Sequence, residues 1–290
     1  MAAVDLRGNT SITEIVVENT NCLFITDGKD IPVQGLENNV IIDGVAEEVI
    51  LHDGYPFYSP VDFVAKKISY TRVFDKGTRG RGGWDTIVLP FEVRKVSVEK
   101  NGKEFQIDWF HNESDYMKNF WVKEFSGDSR NTMFFSYTQE MAALRPYIIT
   151  VPGDSWGKEN DLTGKPVTFH GEYANVSSDN TAATTGDLYK MKGVFTKTPL
   201  EDVYYLNEEG TCFTKGDTTV LPFRAYFMTT ITGPISNEAT LNIGTMDVNH
   251  IDKIQMDTAS SWYTVTGIRI DKPMKSGLYI NKGKKIIVVR

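Results

Sequence analysis

Short β-branched and aromatic runs separated by turn residues set the pattern of this chain. The pattern is densest at Gly83-Trp84-Asp85-Thr86-Ile87-Val88-Leu89-Pro90-Phe91-Glu92-Val93. A second stretch, Thr218-Thr219-Val220-Leu221-Pro222-Phe223-Arg224-Ala225-Tyr226-Phe227, repeats its Leu-Pro-Phe word. Proline has no N–H to give to a sheet ladder, so Pro90 and Pro222 predict bends at strand ends, edges or bulges, followed by resumed alternation. The match is too short to be a sequence repeat, but it predicts two equivalent strands of one β-domain. In that case Trp84, Ile87, Leu89, Phe91, Leu221, Phe223 and Tyr226 are buried.

The same grammar predicts strands at Lys66 to Phe74, Thr86 to Val98, Phe105 to Phe110, Thr132 to Tyr137, Tyr147 to Val151, Pro166 to Tyr173, Leu188 to Phe195, Val203 to Asn207 and Val220 to Thr229. Two helical turns are expected. In Tyr116 to Phe125, Met117, Phe120, Trp121 and Phe125 recur at helical spacing; Gln139 to Leu144 must end before Pro146. The Ser-, Thr- and Asn-rich run from Val176 to Gly186 predicts a flexible loop between paired strands. Before these come Cys22-Leu23-Phe24-Ile25, Asn39-Val40-Ile41-Ile42 and Glu48-Val49-Ile50-Leu51, spaced by Asp27-Gly28, Asp43-Gly44 and Asp53-Gly54. Asp-Gly pairs mark tight turns with positive φ, so these runs continue a solenoid or form a meander into the main domain. Val4-Asp5-Leu6-Arg7-Gly8-Asn9 has the L-x-L-x-x-N character of a leucine-rich repeat; a single unit cannot bury its apolar face alone, which predicts a cap on a longer array or a remnant of one. At the other end, Gly277 to Asn281 and Lys284 to Arg290 flank Lys282-Gly283 and predict a hairpin, its sheet completed by Tyr263 to Ile270.

Composition narrows the class. With 290 residues and 40% hydrophobic content the chain can bury a substantial core, in two or three units. There is no apolar run near the ~18 residues of a membrane helix, and Met1-Ala2-Ala3-Val4-Asp5 has neither the basic nor the apolar region of a signal peptide. Cys22 and Cys212 sit among strand-like residues, which suits small buried hydrophobes better than a disulfide or ligand pair. From Gly267 to Arg290 seven basic residues face Asp271 alone, a net +6 that leaves −13 for the rest (−7 − 6). An acidic body lacks the basic surface that phosphate binding needs, so nucleic acid is not an expected partner. The tail lysines alternate with Ile, Tyr and Val, as on the solvated face of a hairpin.

Several words occur together and in order: Asn21-Cys22-Leu23; Asn39-Val40-Ile41 with Ala46-Glu47-Glu48; Pro60-Val61-Asp62-Phe63-Val64-Ala65 with Ile68-Ser69-Tyr70-Thr71-Arg72; Trp84 to Phe91; and Arg145-Pro146-Tyr147-Ile148-Ile149. Together they resemble the region that follows the repeats in Bacteroidetes surface proteins of the BspA-like leucine-rich-repeat type. The tail, Trp262-Tyr263-Thr264-Val265-Thr266-Gly267-Ile268-Arg269-Ile270 with Pro273, Gly277-Leu278-Tyr279-Ile280, Gly283-Lys284-Lys285 and Ile286 to Arg290, resembles the C-terminal module of exported proteins of that phylum, including type IX sorting domains. The resemblance implies a cell-surface or extracellular location, a preceding array and signal peptide, and no catalytic motif.

The chain carries no G-x-S-x-G elbow and no P-loop, and His52, His111, His170 and His250 lie far apart without metal-ligand spacing. His170 alternates with aromatics in Phe169-His170-Gly171-Glu172-Tyr173 and is expected to face solvent. Gly77 to Gly83, with Arg79 and Arg81, suits either an anion cradle or the tip of a mobile hairpin. Asp154, Glu159, Asn160 and Asp161 offer oxygen ligands for calcium but lack the EF-hand pattern, and a solvated loop is the expected state. Trp156, in the loop after Pro152-Gly153, is the tryptophan placed to stack on a sugar ring, whereas Trp84, Trp109, Trp121 and Trp262 are expected in the core.

The expected protein is all-β and mainly antiparallel. It has a repeat-like strand segment at 1–54, a central β-sandwich at 55–230, and a linker with a small C-terminal β-module at 231–290. It needs no cofactor and spans no membrane. Its expected role is a non-catalytic surface module for adhesion, host or glycan interaction, or presentation of an attached repeat array. A carbohydrate-binding module and a glycan-active hydrolase are the alternatives.

Overall fold

The computed structural model describes residues 3–9, 11–12, 15–18, 20–27, 38–78, 82–100, 102–108, 120–230, 240–245, 262–264, 269–270, 277–281 and 284–288. Over these residues the protein is nearly all β, and no helix is long and apolar enough to cross a membrane. The chain divides into two units, Met1–Thr245 and Met246–Arg290.

The first unit holds two mixed sheets, one of them curled into a half-barrel. One sheet runs Ala3–Asp5, Leu23–Thr26, Val40–Ile42, Val45–His52, Phe63–Val73, Pro166–Val176, Lys95–Lys100, Lys103–Ile107. The other runs Ala183–Thr185, Tyr189–Val194, Arg224–Thr229, Thr198–Leu206, Cys212–Val220, Thr240–Thr245, Thr132–Tyr137, Trp121–Ser129, Tyr147–Thr150, Asp85–Ile87. Antiparallel ladders dominate, but Ala3–Asp5, Leu23–Thr26 and Val40–Ile42 stack in parallel, and Val45–His52 runs parallel to Phe63–Val73. The main core joins both sheets, with Tyr70 and Phe169 from one and Ile87, Ile149 and Phe223 from the other side of it. A second cluster is aromatic, with Phe227 meeting Phe125 and Phe213 edge-on at 4.9 and 4.8 Å between centroids.

Residues 1–54 do not stand apart. Val45–His52 is laddered to Phe63–Val73, and the buried side chains of Asn21 and Asn39 bind the backbone of residues 50, 52 and 55, which fastens the short parallel strands to the main sheet. The Asp43-Gly44 turn takes the expected positive φ at both residues, 49° and 79°.

Neither expected helix forms among the described residues. Trp121–Ser129 is a strand between Thr132–Tyr137 and Tyr147–Thr150; Trp121 and Phe125 are four apart, a spacing that period two satisfies as well as a helix does. Tyr116 to Asn119 lie outside the described residues. Gln139 to Leu144 is a turn, with Leu144 at φ 60°. The expected strand from Thr86 to Val98 breaks after Ile87, and that from Val220 to Thr229 breaks at Leu221-Pro222-Phe223. Leu221 is exposed, contrary to expectation, and Trp84 is only half-buried, while Ile87, Leu89, Phe91, Phe223 and Tyr226 are buried. Part of the expected loop from Val176 to Gly186 is a strand, Ala183–Thr185, paired with Tyr189–Val194.

In the second unit Arg269–Ile270, Trp262–Thr264, Gly277–Asn281 and Lys284–Val288 form an antiparallel sheet in that order. The expected hairpin pairs Asn281 with Lys284 across a two-residue link.

Candidate functional site

The two Leu-Pro-Phe segments meet. Val88 donates its N–H to the Phe223 carbonyl at 3.1 Å, and Ala225 donates to Thr86 Oγ1 at 2.9 Å. Around this seam five polar side chains form one network. Asp53 follows the end of the Val45–His52 strand, Tyr70 and Arg72 point inward from Phe63–Val73, and Asp85 and Arg224 begin their strands. Arg224 grips Asp53 with both Nη atoms, at 2.8 and 2.7 Å, while Tyr70 donates its hydroxyl to the same carboxylate at 2.7 Å. Arg72 pairs with Asp85 and donates to the Thr86 carbonyl at 3.0 Å; its guanidinium also lies 4.5 Å from the Phe74 ring centre.

Burial works to raise the Asp53 pKa, but the hydrogen bonds and charge of Arg224, with Arg72 and Tyr70 behind them, outweigh it and hold the carboxyl below its ordinary value. Burial raises the Tyr70 phenol, keeping it neutral. Arg72 Nε makes no hydrogen bond, lying 3.9 Å from Asp53 Oδ2, but the charged groups of the network are paired with one another, and its chemistry is that of a clamp between sheets.

A cleft of about 410 Å³ is lined in part by chain that flanks the clamp residues in sequence. Asp75, Lys76 and Gly77 line it from the chain after Arg72, and Gly83 from the chain before Asp85. Gly153, Asp154, Asp161 and Thr163 contribute a second wall, and Glu208, Glu209 and Thr211 a third. Glycine is required where the walls touch: a Cβ on Gly77 would stand 2.6 Å from the Gly153 nitrogen, and Gly83 has φ +74° with the Gly77 carbonyl against it. Backbone bonds tie the walls together, from Thr78 N–H to Val151 O and from Gly83 N–H to Glu209 O, both at 2.8 Å. Lys76 Nζ donates to the Glu208 carbonyl at 2.7 Å, and the Thr163 N–H to Asp161 Oδ1 at 2.8 Å. The result is a rigid, carboxylate-rich cleft that can accept hydrogen bonds from hydroxyl or cationic groups.

Trp156 sits in the short 3-10 turn Asp154–Trp156, two residues from the cleft-lining Asp154. It is half-buried, its ring centre 5.1 Å from that of Trp121, so one side of the indole is taken up by packing. Arg79 and Arg81 lie outside the described residues. The flanking Gly77 and Gly83 do line the cleft, among carboxylates. Asp154 and Asp161 come together there as well, although among the described residues no group of three or more His, Cys, Asp or Glu is placed to hold a metal ion.

His170 lies on the sheet face opposite Phe169 and is half-buried. Its Nε2 is 2.7 Å from Ser97 Oγ and 3.5 Å from Glu104 Oε1, and burial lowers its pKa despite Glu104. Both partners meet one ring nitrogen, whereas a nucleophile relay needs the carboxylate on the other.

Sequence reasoning missed Asp75, Glu208 and Glu209. Asn207-Glu208-Glu209-Gly210 reads as a turn, and it is tertiary bonds, from Gly83 to Glu209, Trp84 to Gly210 and Lys76 to Glu208, that bring it to the cleft. No protein-family model, no curated protein and no solved structure matches this chain.

Proposed function

We propose that this chain is a non-catalytic cell-surface module for adhesion or host interaction that takes a glycan in the acidic cleft, or presents an attached repeat array while doing so. The carrying observation is that the cleft carboxylates Asp154 and Asp161 are accompanied by the half-buried Trp156, which shares the short turn of Asp154 and is backed by the buried Trp121. Sugar recognition uses an aromatic surface for the apolar ring face and fixed acceptors for the hydroxyls. The glycine contacts and the backbone bonds between the walls support it by holding those acceptors in place before ligand arrives, which lowers the ordering cost of binding. The resemblance to BspA-like surface proteins supports the location.

The test is titration of the full chain against soluble oligosaccharides by calorimetry. Trp156→Ala and Asp161→Asn are each expected to weaken binding about tenfold or more. Unchanged affinity in both would remove the cleft from the reading. Carboxylates lining one cleft from three chain segments also suit a glycan-active hydrolase, which needs two across a scissile bond. Release of new reducing ends by the wild type, lost in Asp154→Asn or Glu208→Gln, would decide for that alternative.

A further inference from the structure

Three adjacent strands break their alternation at the same level. In Val45–His52 the buried Ala46 and Val49 enclose two outward residues, Glu47 and Glu48; in Phe63–Val73, Ala65 and Ile68 enclose Lys66 and Lys67; in Pro166–Val176, Gly171 and Ala174 enclose Glu172 and Tyr173. The ladders align these steps, since Ala46 and Ala174 both pair with Ala65, and Glu48 and Glu172 both pair with Lys67. Because each strand carries the same extra residue, register survives and the outer face gains a ridge. Glu47 and Lys66 are bonded across it at 2.5 Å.

Tyr173 stands on this ridge with φ 48° and 74% of its surface exposed. A left-handed backbone is costly for a bulky side chain and cheap for glycine or asparagine, and an exposed ring returns little to the fold. Folding alone therefore does not account for a tyrosine here, whereas presentation of a flat apolar face does.

We infer that the ridge is a second glycan-contact surface, with Tyr173 as the stacking platform for a neutral sugar ring and Glu47, Lys66 and Glu172 as its hydrogen-bonding rim. The inference rests on the glycan-binding reading and extends it to residues away from the cleft. Neutrality of the ligand follows from the charges: the ridge sets three carboxylates against two ammonium groups in register, so it presents acceptors and donors with little net field for a polyion. Tyr173 is seven residues along its strand from Pro166, which follows the cleft-lining Thr163 closely. At ~3.3 Å per residue the separation is about 23 Å, so one glycan chain could bridge the two contacts and gain avidity.

The experiment is biolayer interferometry of the full chain against immobilised neutral hexose and N-acetylhexosamine oligomers, with a heparin fragment as the polyanion. Tyr173→Gly removes the ring and fits the left-handed backbone, so it should melt no lower than wild type while binding about tenfold more weakly; Tyr173→Phe should stay within about threefold. Tyr173→Gly combined with Trp156→Ala should lose more than either alone. Unchanged affinity in Tyr173→Gly, binding to heparin alone, or no binding across the panel would overturn the inference. If Trp156→Ala weakens binding and Tyr173→Gly does not, the cleft stands and the ridge falls; the opposite result removes the cleft and keeps the ridge.

Discussion

Residues 84–93 and 218–227 carry the same Leu-Pro-Phe word, yet Leu89 is 1% exposed and Leu221 47%. In the first segment the chain leaves its ladder after Ile87 and runs between the sheets, where the Leu89 carbonyl accepts a hydrogen bond from Leu144 N–H at 2.8 Å. In the second the same word bends a strand without reversing it: Val220 pairs with Thr198 and Arg224 with Val194, so the two strands continue one antiparallel ladder across a three-residue corner. So short a corner cannot turn both apolar side chains inward. Phe223 takes φ 62° and is fully buried, 4.6 Å from the Tyr70 ring centre, and Leu221 is left outside. Proline fixes that the backbone bends, while the tertiary partners decide which neighbour is buried.

The charged residues beside the word sharpen the contrast. Glu92 follows the first and pairs with Arg94 in solvent, whereas Arg224 follows the second and is drawn into the clamp. Breaking the clamp from the first segment should have the largest effect: Asp85→Asn leaves Arg72, only 3% exposed, with just the more distant Asp53 carboxylate at 3.9 Å, and should cost about 3 to 5 kcal/mol. The measurement is the urea midpoint at unchanged slope. A loss below about 1 kcal/mol would mean that Asp85 is not the partner that holds Arg72. Next comes the leucine pair. Leu89→Ala should cost about 2 to 5 kcal/mol and Leu221→Ala no more than about 0.5, so equal losses in the two variants would erase the distinction drawn between the segments.

Much of the β-grammar was legible, because burial on one face imposes alternation directly on the residues, as at Thr132–Tyr137. The errors fall where one spacing serves two structures, as at Trp121 and Phe125, or where a short word can bend either way, as at Leu221. The candidate site was legible only in pieces. Asp154, Asp161, Gly77 and Gly83 stood out by local composition, and all four line the cleft. Glu208 and Asp75 carry no local signal, since their segments, more than a hundred residues apart, are brought together by tertiary bonds from the Gly83 N–H and the Lys76 side chain. Tyr173 was hidden for another reason: read as one alternating strand, Phe169 to Tyr173 gives no hint that the period slips at Glu172 in step with two neighbours.

The smallest expected effect separates the two segments by pH. Asp53 is held by Arg224, from the second segment, and its carboxyl lies below the ordinary value in the folded chain although burial opposes that. A depressed folded pKa means that the unfolded chain takes up the proton first. The Asp53 contribution is therefore complete above the unfolded value, about 3.9, and is lost as pH falls through the folded one. Asp53→Asn fixes the side chain in a neutral form close in shape to the protonated acid. Its stability should lie below wild type at pH 7 by a constant margin down to about pH 5, and the two should then converge as wild type titrates. Urea midpoints of both proteins between about pH 7 and pH 2 make the comparison, and subtraction cancels the other depressed carboxyls, Asp5, Asp62, Asp179 and Glu104. A margin that stayed constant to the acid end would place the effect of the substitution in lost packing instead of charge, and would leave Arg224 anchored by Asp85 at 3.9 Å and not by Asp53.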